Sequence, residues 1–271
     1  MKKILLVVVA MSLIISLTRL SNSSDDRDVI FQTSTINALF KGIYDGDVTY
    51  KELKKYGDFG LGTFNSLDGE MIALNGKFYQ IKADGKVYPV DDSMKTPFAT
   101  VTFFEPDRTI LIKNAMSYET IQNYLDSLLP SNNIFYSIKL EGVFKFIKLR
   151  SVPRQEKPYQ PLTDALKKET VFELKKIKGT AVGFRMPGYI EGLNLPGYHL
   201  HFITDDKKMG GHLLDCLIQE ARIEIDLSSD FYMTLPETTE FRKADLEKDN
   251  RINLDKTGNG FRATIIRRSP N

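Results

Sequence analysis

The 271-residue chain has no tryptophan, one cysteine and three histidines. The missing tryptophan excludes nothing. The lone cysteine, Cys216, excludes an intramolecular disulfide, so packing or a metal must staple the fold. Neither sign of charge is in excess: 37 basic residues stand against 35 acidic ones, a net charge of +2. A near-neutral chain has no overall field to hold a polyanion, so no nucleic-acid partner is expected. Long apolar runs are also lacking, and none reaches the ~20 residues of a membrane-spanning helix. With 42% hydrophobic and 27% charged residues, the composition is that of a packed globular protein. The length suffices for two ordinary domains or one large one.

The first 24 residues stand apart. Lys2 and Lys3 precede an uncharged apolar stretch, Ile4 to Leu17, which is followed by Arg19 and the polar cluster Ser21-Asn22-Ser23-Ser24. This is the layout of a secretory signal peptide. Residues 1–24 are therefore read as an export signal, with an uncleaved membrane anchor as the alternative because no Ala-x-Ala site follows. The expected location is outside the cytoplasm, secreted or periplasmic.

Patterning then predicts a strand-rich body. Ser34 or Thr35 can cap a short helix to Leu39, and Thr49 can cap a second at Tyr50 to Tyr56. Strands are expected at Gly60 to Asn65, Met71 to Leu74 and Lys77 to Lys82, with Asn75-Gly76 as a tight turn. Ala99 to Phe104 reads as a buried strand. Ile121, Leu125, Leu128 and Leu129 give Ser117 to Leu129 the spacing of a helix with one buried face.

Further strands are expected at Ile134 to Leu140, Val143 to Leu149, Val171 to Ile177 and Thr180 to Phe184. Tyr198 to Ile203, Leu213 to Ile218, Ala221 to Asp226 and Phe231 to Leu235 complete the set. Val152 to Pro161, with three prolines and four charges, is the best linker candidate. It divides the chain into an N-terminal domain, 25–155, and a C-terminal, metal-binding β-rich domain, 156–271. Lys139-Leu140-Glu141-Gly142 and Lys176-Ile177-Lys178-Gly179 form a faint internal echo. The charged tail after Arg242 is expected to be irregular.

All three histidines lie between positions 199 and 212. In the strand-like run Tyr198-His199-Leu200-His201-Phe202, residues two apart share a face. The polar stretch Asp205 to Gly211 suits a hairpin turn, and His212 opens the returning strand. Three imidazoles on one face form an open metal site, because catalytic zinc keeps three protein ligands and a free position. Ordinary hydrogen-bonding histidines are the competing explanation, and the pattern leaves the metal unidentified. Glu70, heading a buried strand, is costly unless paired or protonated. Arg150 ends the apolar run Val143 to Leu149, and Thr63 sits beside glycines that allow close backbone approach. None of these three signals is specific alone.

Several segments together resemble the α-acetolactate decarboxylase family. They are Ser34 to Leu39, Gly60 to Thr63, Leu67 to Ile72, Lys77 to Ile81, Lys95 to Ala99, Arg150 to Pro153 and Gly197 to Thr204, in colinear order across about residues 31 to 245. The resemblance implies an α/β (α+β) fold with two β-sheet-rich domains, the N-terminal sheet mixed and the C-terminal one mainly antiparallel. It implies bound Zn2+, a homodimer and decarboxylation of 2-acetolactate to acetoin and CO2. The family's zinc ligands fall on His199, His201 and His212, and its active-site Thr, Glu and Arg on Thr63, Glu70 and Arg150.

One departure stands out. The family brings a glutamate from its C-terminal tail into the site. Here the matching stretch near Lys256-Thr257-Gly258 has none, with Asp255 the nearest carboxylate and Glu247 further off. Gly258 to Asn271 is therefore expected to supply no catalytic carboxylate. A cupin-type metal-binding β-barrel, an isomerase or a binding module, is the alternative from another class.

Overall fold

Short strands alternating with turn residues build one sheet, and long strands build the other. The computed structural model describes residues 28–246 and, as backbone only, 252–254 and 263–265. The strands, in chain order, are β1 (Val29–Thr33), β2 (Val48–Thr49), β3 (Phe59–Thr63), β4 (Glu70–Leu74), β5 (Lys77–Ile81), β6 (Val87–Pro89), β7 (Lys95–Thr96) and β8 (Ala99–Thr102). They continue as β9 (Arg108–Ile112), β10 (Met116–Ser117), β11 (Phe135–Ser151), β12 (Thr170–Met186), β13 (Gly197–Thr204), β14 (Gly210–Ser228) and β15 (Asp230–Thr234). The helices are α1 (Ile36–Phe40), α2 (Tyr50–Leu53), α3 (Tyr118–Leu128), α4 (Leu162–Ala165) and α5 (Thr239–Lys243).

The first sheet runs β15-β1-β8-β3-β4-β5-β6. It is mixed, because β1 pairs parallel with β15 while its other pairs are antiparallel. The second sheet is antiparallel throughout and runs β10-β14-β11-β12-β13, with β9 added at β14. β14 pairs with β13 at its start and with β11 along most of its length, so β11, β12, β13 and β14 close on themselves. The proline-rich stretch 152–161 connects β11 and β12, two neighbours of this second sheet. β15, near the chain's end, belongs to the first.

Capping follows the sequence. Thr35 caps α1 by accepting from Ala38 N, Thr49 and Glu52 form a capping box on α2, and Ser117 caps α3. Ile121 and Leu125 of α3, which lies against β14, join the largest apolar cluster together with Tyr136, Ile138 and Phe144 of β11. The sheets meet through Phe59, Ile72 and Ile81 of the first and Val182 and Ile203 of the second. Burying each such side chain contributes roughly 1.5–3 kcal/mol.

Three pairs of expected strands are in fact single long ones, β11, β12 and β14. Gly142 and Gly179, which fall in the gaps between the expected strands, face each other in mid-strand. A Cβ on Gly142 would stand 2.3 Å from Glu220 O, and one on Gly179 would stand 2.3 Å from the Phe202 ring. These glycines serve close strand approach rather than turns. Gly210 and Gly211 likewise lie inside β14, not in the turn before it. α5 closes just after Arg242, and the tail beyond is not wholly irregular, because Ile252–Leu254 pairs antiparallel with Ala263–Ile265. The export signal, Glu247, Asp255 and the other tail side chains lie outside the described residues. Among the described residues no helix is long and apolar enough to cross a membrane.

Candidate active site

The site forms where the two sheets meet. The second sheet supplies the nitrogens. His212 on β14 is directly opposite His201 on β13 and, on its other side, opposite Arg150 on β11. Cross-strand partners present their side chains on one face, so Arg150, His201 and His212 converge, and His199 joins them two residues along β13. A Cβ at Gly211 would lie 2.7 Å from Arg150 O, so glycine there lets β14 sit close against β11. The ring centroids are 5.1 Å apart for His199 and His201, 4.9 Å for His199 and His212, and 5.1 Å for His201 and His212. The ligand nitrogens all lie within 4.8 Å of one another.

All three rings are buried, which disfavours their charged form, and the Arg150 cation adds to this at each; neighbouring imidazoles add to it at His199 and His212, while the bond to Met71 O opposes it at His201. His201 is pushed down to about 3, and His199 and His212 lie well below the ordinary histidine range. Neutral imidazole is the form that ligates metal. His201 Nδ1 lies 2.8 Å from Met71 O, a pure acceptor, so Nδ1 carries the hydrogen and Nε2 keeps its lone pair. That buried Nε2 makes no hydrogen bond, although Glu70 Oε2 is 3.4 Å away. An inward, dehydrated lone pair within a triangle of neutral imidazoles fits a divalent metal such as zinc.

The first sheet supplies the carboxylate. Glu70 opens β4 opposite Thr63 at the end of β3, so their side chains share a face. The turn between them is tight, with Ser66, Leu67 and Gly69 all at positive φ. Gly69 has φ of 85°, and a Cβ on it would stand 2.1 Å from Ile81 O, which requires glycine directly before Glu70. Thr63 Oγ1 donates to Gly69 O at 2.6 Å and so ties the strand to the turn, leaving its lone pairs as acceptors. Burial pushes the Glu70 carboxyl up to about 7. The Arg150 charge opposes that rise and the Glu169 charge adds to it.

Two cross-sheet bonds fix the halves beside these groups. One is His201 to Met71, and the other is Ser151 Oγ donating to Ile81 O at 2.9 Å. A pocket of about 560 Å3, including its mouth, opens over the histidines. Thr63, Glu70 and Arg150 line it together with the three rings, and Ile36, Leu39, Leu162, Leu166 and Leu195 form apolar walls. All six residues singled out from the sequence are thus brought to one cavity. Glu169 was not foreseen: its Oε2 lies 3.1 Å from Arg150 Nη1. In the sequence it follows Lys167-Lys168 and reads as part of a solvated charged run. Only the β11–β12 register reveals the contact.

The profile of the family described as alpha-acetolactate decarboxylase matches residues 30–248. The alpha-acetolactate decarboxylase of Methanosarcina mazei is 48% identical over 234 residues, 86% of this chain and 81% of that protein. That of Methylococcus capsulatus is 49% identical over 220 residues, 81% of this chain and 85% of that protein. The crystal structure of alpha-acetolactate decarboxylase from Bacillus subtilis superposes with a TM-score of 0.80 at 42% identity, covering 81% of this chain and 94% of that one. The fold and cavity are those of a β-rich lyase with a histidine triad. The chain belongs to the alpha-acetolactate decarboxylase family. It is an enzyme, a decarboxylase, and the cupin-type alternative falls away.

Proposed function

We propose that the chain decarboxylates 2-acetolactate (2-hydroxy-2-methyl-3-oxobutanoate) to acetoin and CO2 in a zinc-dependent reaction. The observation that carries this reading is the triangle of buried neutral imidazoles, with Glu70 3.4 Å from His201. His199, His201 and His212 would hold the ion. Zinc bound there supplies Lewis-acid stabilisation for negative charge developing on the substrate's oxygens.

The chain's own groups do the rest. The Arg150 guanidinium orients the anionic substrate in the pocket. Breaking the bond to the carboxyl carbon leaves an electron pair on the hydroxyl-bearing carbon, delocalised into the adjacent ketone. Glu70, whose burial favours the protonated form, gives its proton to that carbon, and solvent restores it. Thr63 holds the Gly69 carbonyl and thereby the placement of Glu70, and its lone pairs can accept from substrate or water. The apolar walls suit the substrate's two methyl groups and exclude water.

The homodimer follows from the family resemblance, and export from the layout of residues 1–24. Light scattering and N-terminal sequencing of the native protein test these two. For the reaction, acetoin is measured after acetolactate is added to metal-loaded protein. Stoichiometric acetoin and CO2 support the reading, and intact acetolactate under those conditions overturns it.

A further inference from the structure

Arg150 is not a free cation in the pocket. Its Nη1 lies 3.1 Å from Glu169 Oε2, and the two side chains are only 10% and 24% exposed. Its Nε is buried and makes no hydrogen bond. A buried guanidinium donor without an acceptor costs free energy, so that N–H is the one kept for a ligand. Glu169 is itself held firmly. Its backbone N–H donates to Leu166 O at 3.1 Å, and Leu166 belongs to the pocket wall. One short segment, 162–169, therefore supplies both an apolar wall and the counter-ion of the pocket's cation. Glu169 immediately precedes β12, in which Val171, two residues on, is opposite Arg150.

From this geometry we infer that Glu169 is a positioning residue that pins the Arg150 fork and offsets its charge, so that an anionic substrate is oriented without being over-held. The inference rests on the decarboxylase reading above. Decarboxylation turns a carboxylate into neutral CO2, so the charge that Arg150 meets in the ground state leaves that group in the transition state. An uncompensated cation on the carboxylate stabilises the ground state more than the transition state and slows the step. A counter-ion on the far side of the guanidinium weakens that grip, while the hydrogen bond keeps the fork aimed.

The test uses full-length, metal-loaded protein and two readouts. One is kcat and KM for acetolactate. The other is calorimetric binding of 2-hydroxy-2-methylpropanoate, which carries the hydroxyl and carboxylate but lacks the ketone. Glu169→Gln keeps an acceptor for Nη1 and removes the charge. It should lower both KM and the Kd of the unreactive acid by ~3–10-fold and lower kcat by a similar factor, leaving kcat/KM nearly unchanged. Glu169→Ala also frees the fork, and its kcat should fall by roughly a further tenfold. If Glu169→Ala does not fold, Glu169→Gln carries the test alone.

A Glu169→Gln protein with all three constants within twofold of the parent overturns the inference. So does one whose KM and Kd rise together, which would make Glu169 a purely structural support. Arg150→Lys separates this failure from failure of the underlying reading: normal turnover and normal binding of the acid in that variant would remove Arg150 itself from the site.

Discussion

The two sheets meet the same physical condition at the site and give opposite results. On the second sheet, burial strips water from three imidazoles and pushes their protons off, leaving neutral lone pairs. On the first, burial strips water from Glu70 and holds its proton on. In both cases dehydration disfavours the charged form. A base loses its charge by giving up a proton and an acid by keeping one, so a single dry cavity leaves neutral nitrogen lone pairs on one wall and favours a protonated carboxyl on the other. The walls also differ in how they are held. The histidines sit at ladder positions on β13 and β14, His201 and His212 paired to neighbours on both sides and His199 on one. Glu70 depends on a strained two-strand turn and one glycine.

Changes on the histidine side should have the largest effect. His201→Ala removes one donor of three, and metal content should fall to a small fraction of the parent, with turnover down by at least ~1000-fold. Metal analysis and an acetoin assay check this, and a metal-replete His201→Ala protein would break the assignment. On the carboxylate side, Glu70→Gln cannot deliver a proton but keeps the shape. Turnover should fall by ~100–10,000-fold while metal content stays that of the parent. Loss of metal together with activity would erase the distinction between the two walls.

The histidine side was legible in the sequence because its geometry is periodic. His199 and His201 are two apart on a strand, and His212 follows a compact turn. The alternation of Gly60 to Asn65 and Met71 to Leu74 likewise gave the β3 and β4 strands, although β3 ends at Thr63 and Asn65–Leu67 forms a 3-10 turn. What could not be read were the contacts made across ladders. Glu169 meets Arg150 only because β12 pairs with β11 in one register. Gly142, Gly179 and Gly211 look like turn residues, yet each lies where a neighbouring backbone or ring comes too close for a Cβ. The length of β11, β12 and β14 was hidden for the same reason. His201's bond to Met71 O was also invisible, since a backbone carbonyl carries no residue signature.

The turn before Glu70 gives a smaller effect. Gly69→Ala puts a Cβ 2.1 Å from Ile81 O at a positive-φ position. Stability should drop by about 2–3 kcal/mol, seen as a Tm lowered by roughly 5–10 °C. Activity should fall further than stability explains, with the histidine metal site intact. An unchanged Tm would show that the turn tolerates side chains.

The smallest effect lies away from the site, where an acid is buried without any metal ligand nearby. Asp226 is 1% exposed, its Oδ2 accepts from Glu105 N at 3.3 Å, and its Oδ1 has no hydrogen-bond partner. Burial, with the charges of Asp107, Asp28 and Glu105 adding to it, pushes its carboxyl up to about 7. An acid whose folded pKa is raised stabilises the fold fully below its unfolded value of about 3.9, and that stability is lost as pH rises through the folded value. The parent's Tm should therefore decline between about pH 4 and pH 7 more than that of Asp226→Asn, whose amide stays neutral, and the two should run parallel above about pH 8. Parallel declines across that range would contradict a raised Asp226 carboxyl in the folded protein.

The central claim is that three neutral imidazoles at the meeting of two sheets hold the catalytic metal. Purified full-length protein, stripped by dialysis against a strong chelator and then titrated with Zn2+, tests it most directly. The account predicts that acetoin formation vanishes on stripping and returns in proportion to added zinc, reaching its plateau at about one ion per chain. Stripped, metal-free protein that still releases acetoin at the parent rate would contradict it.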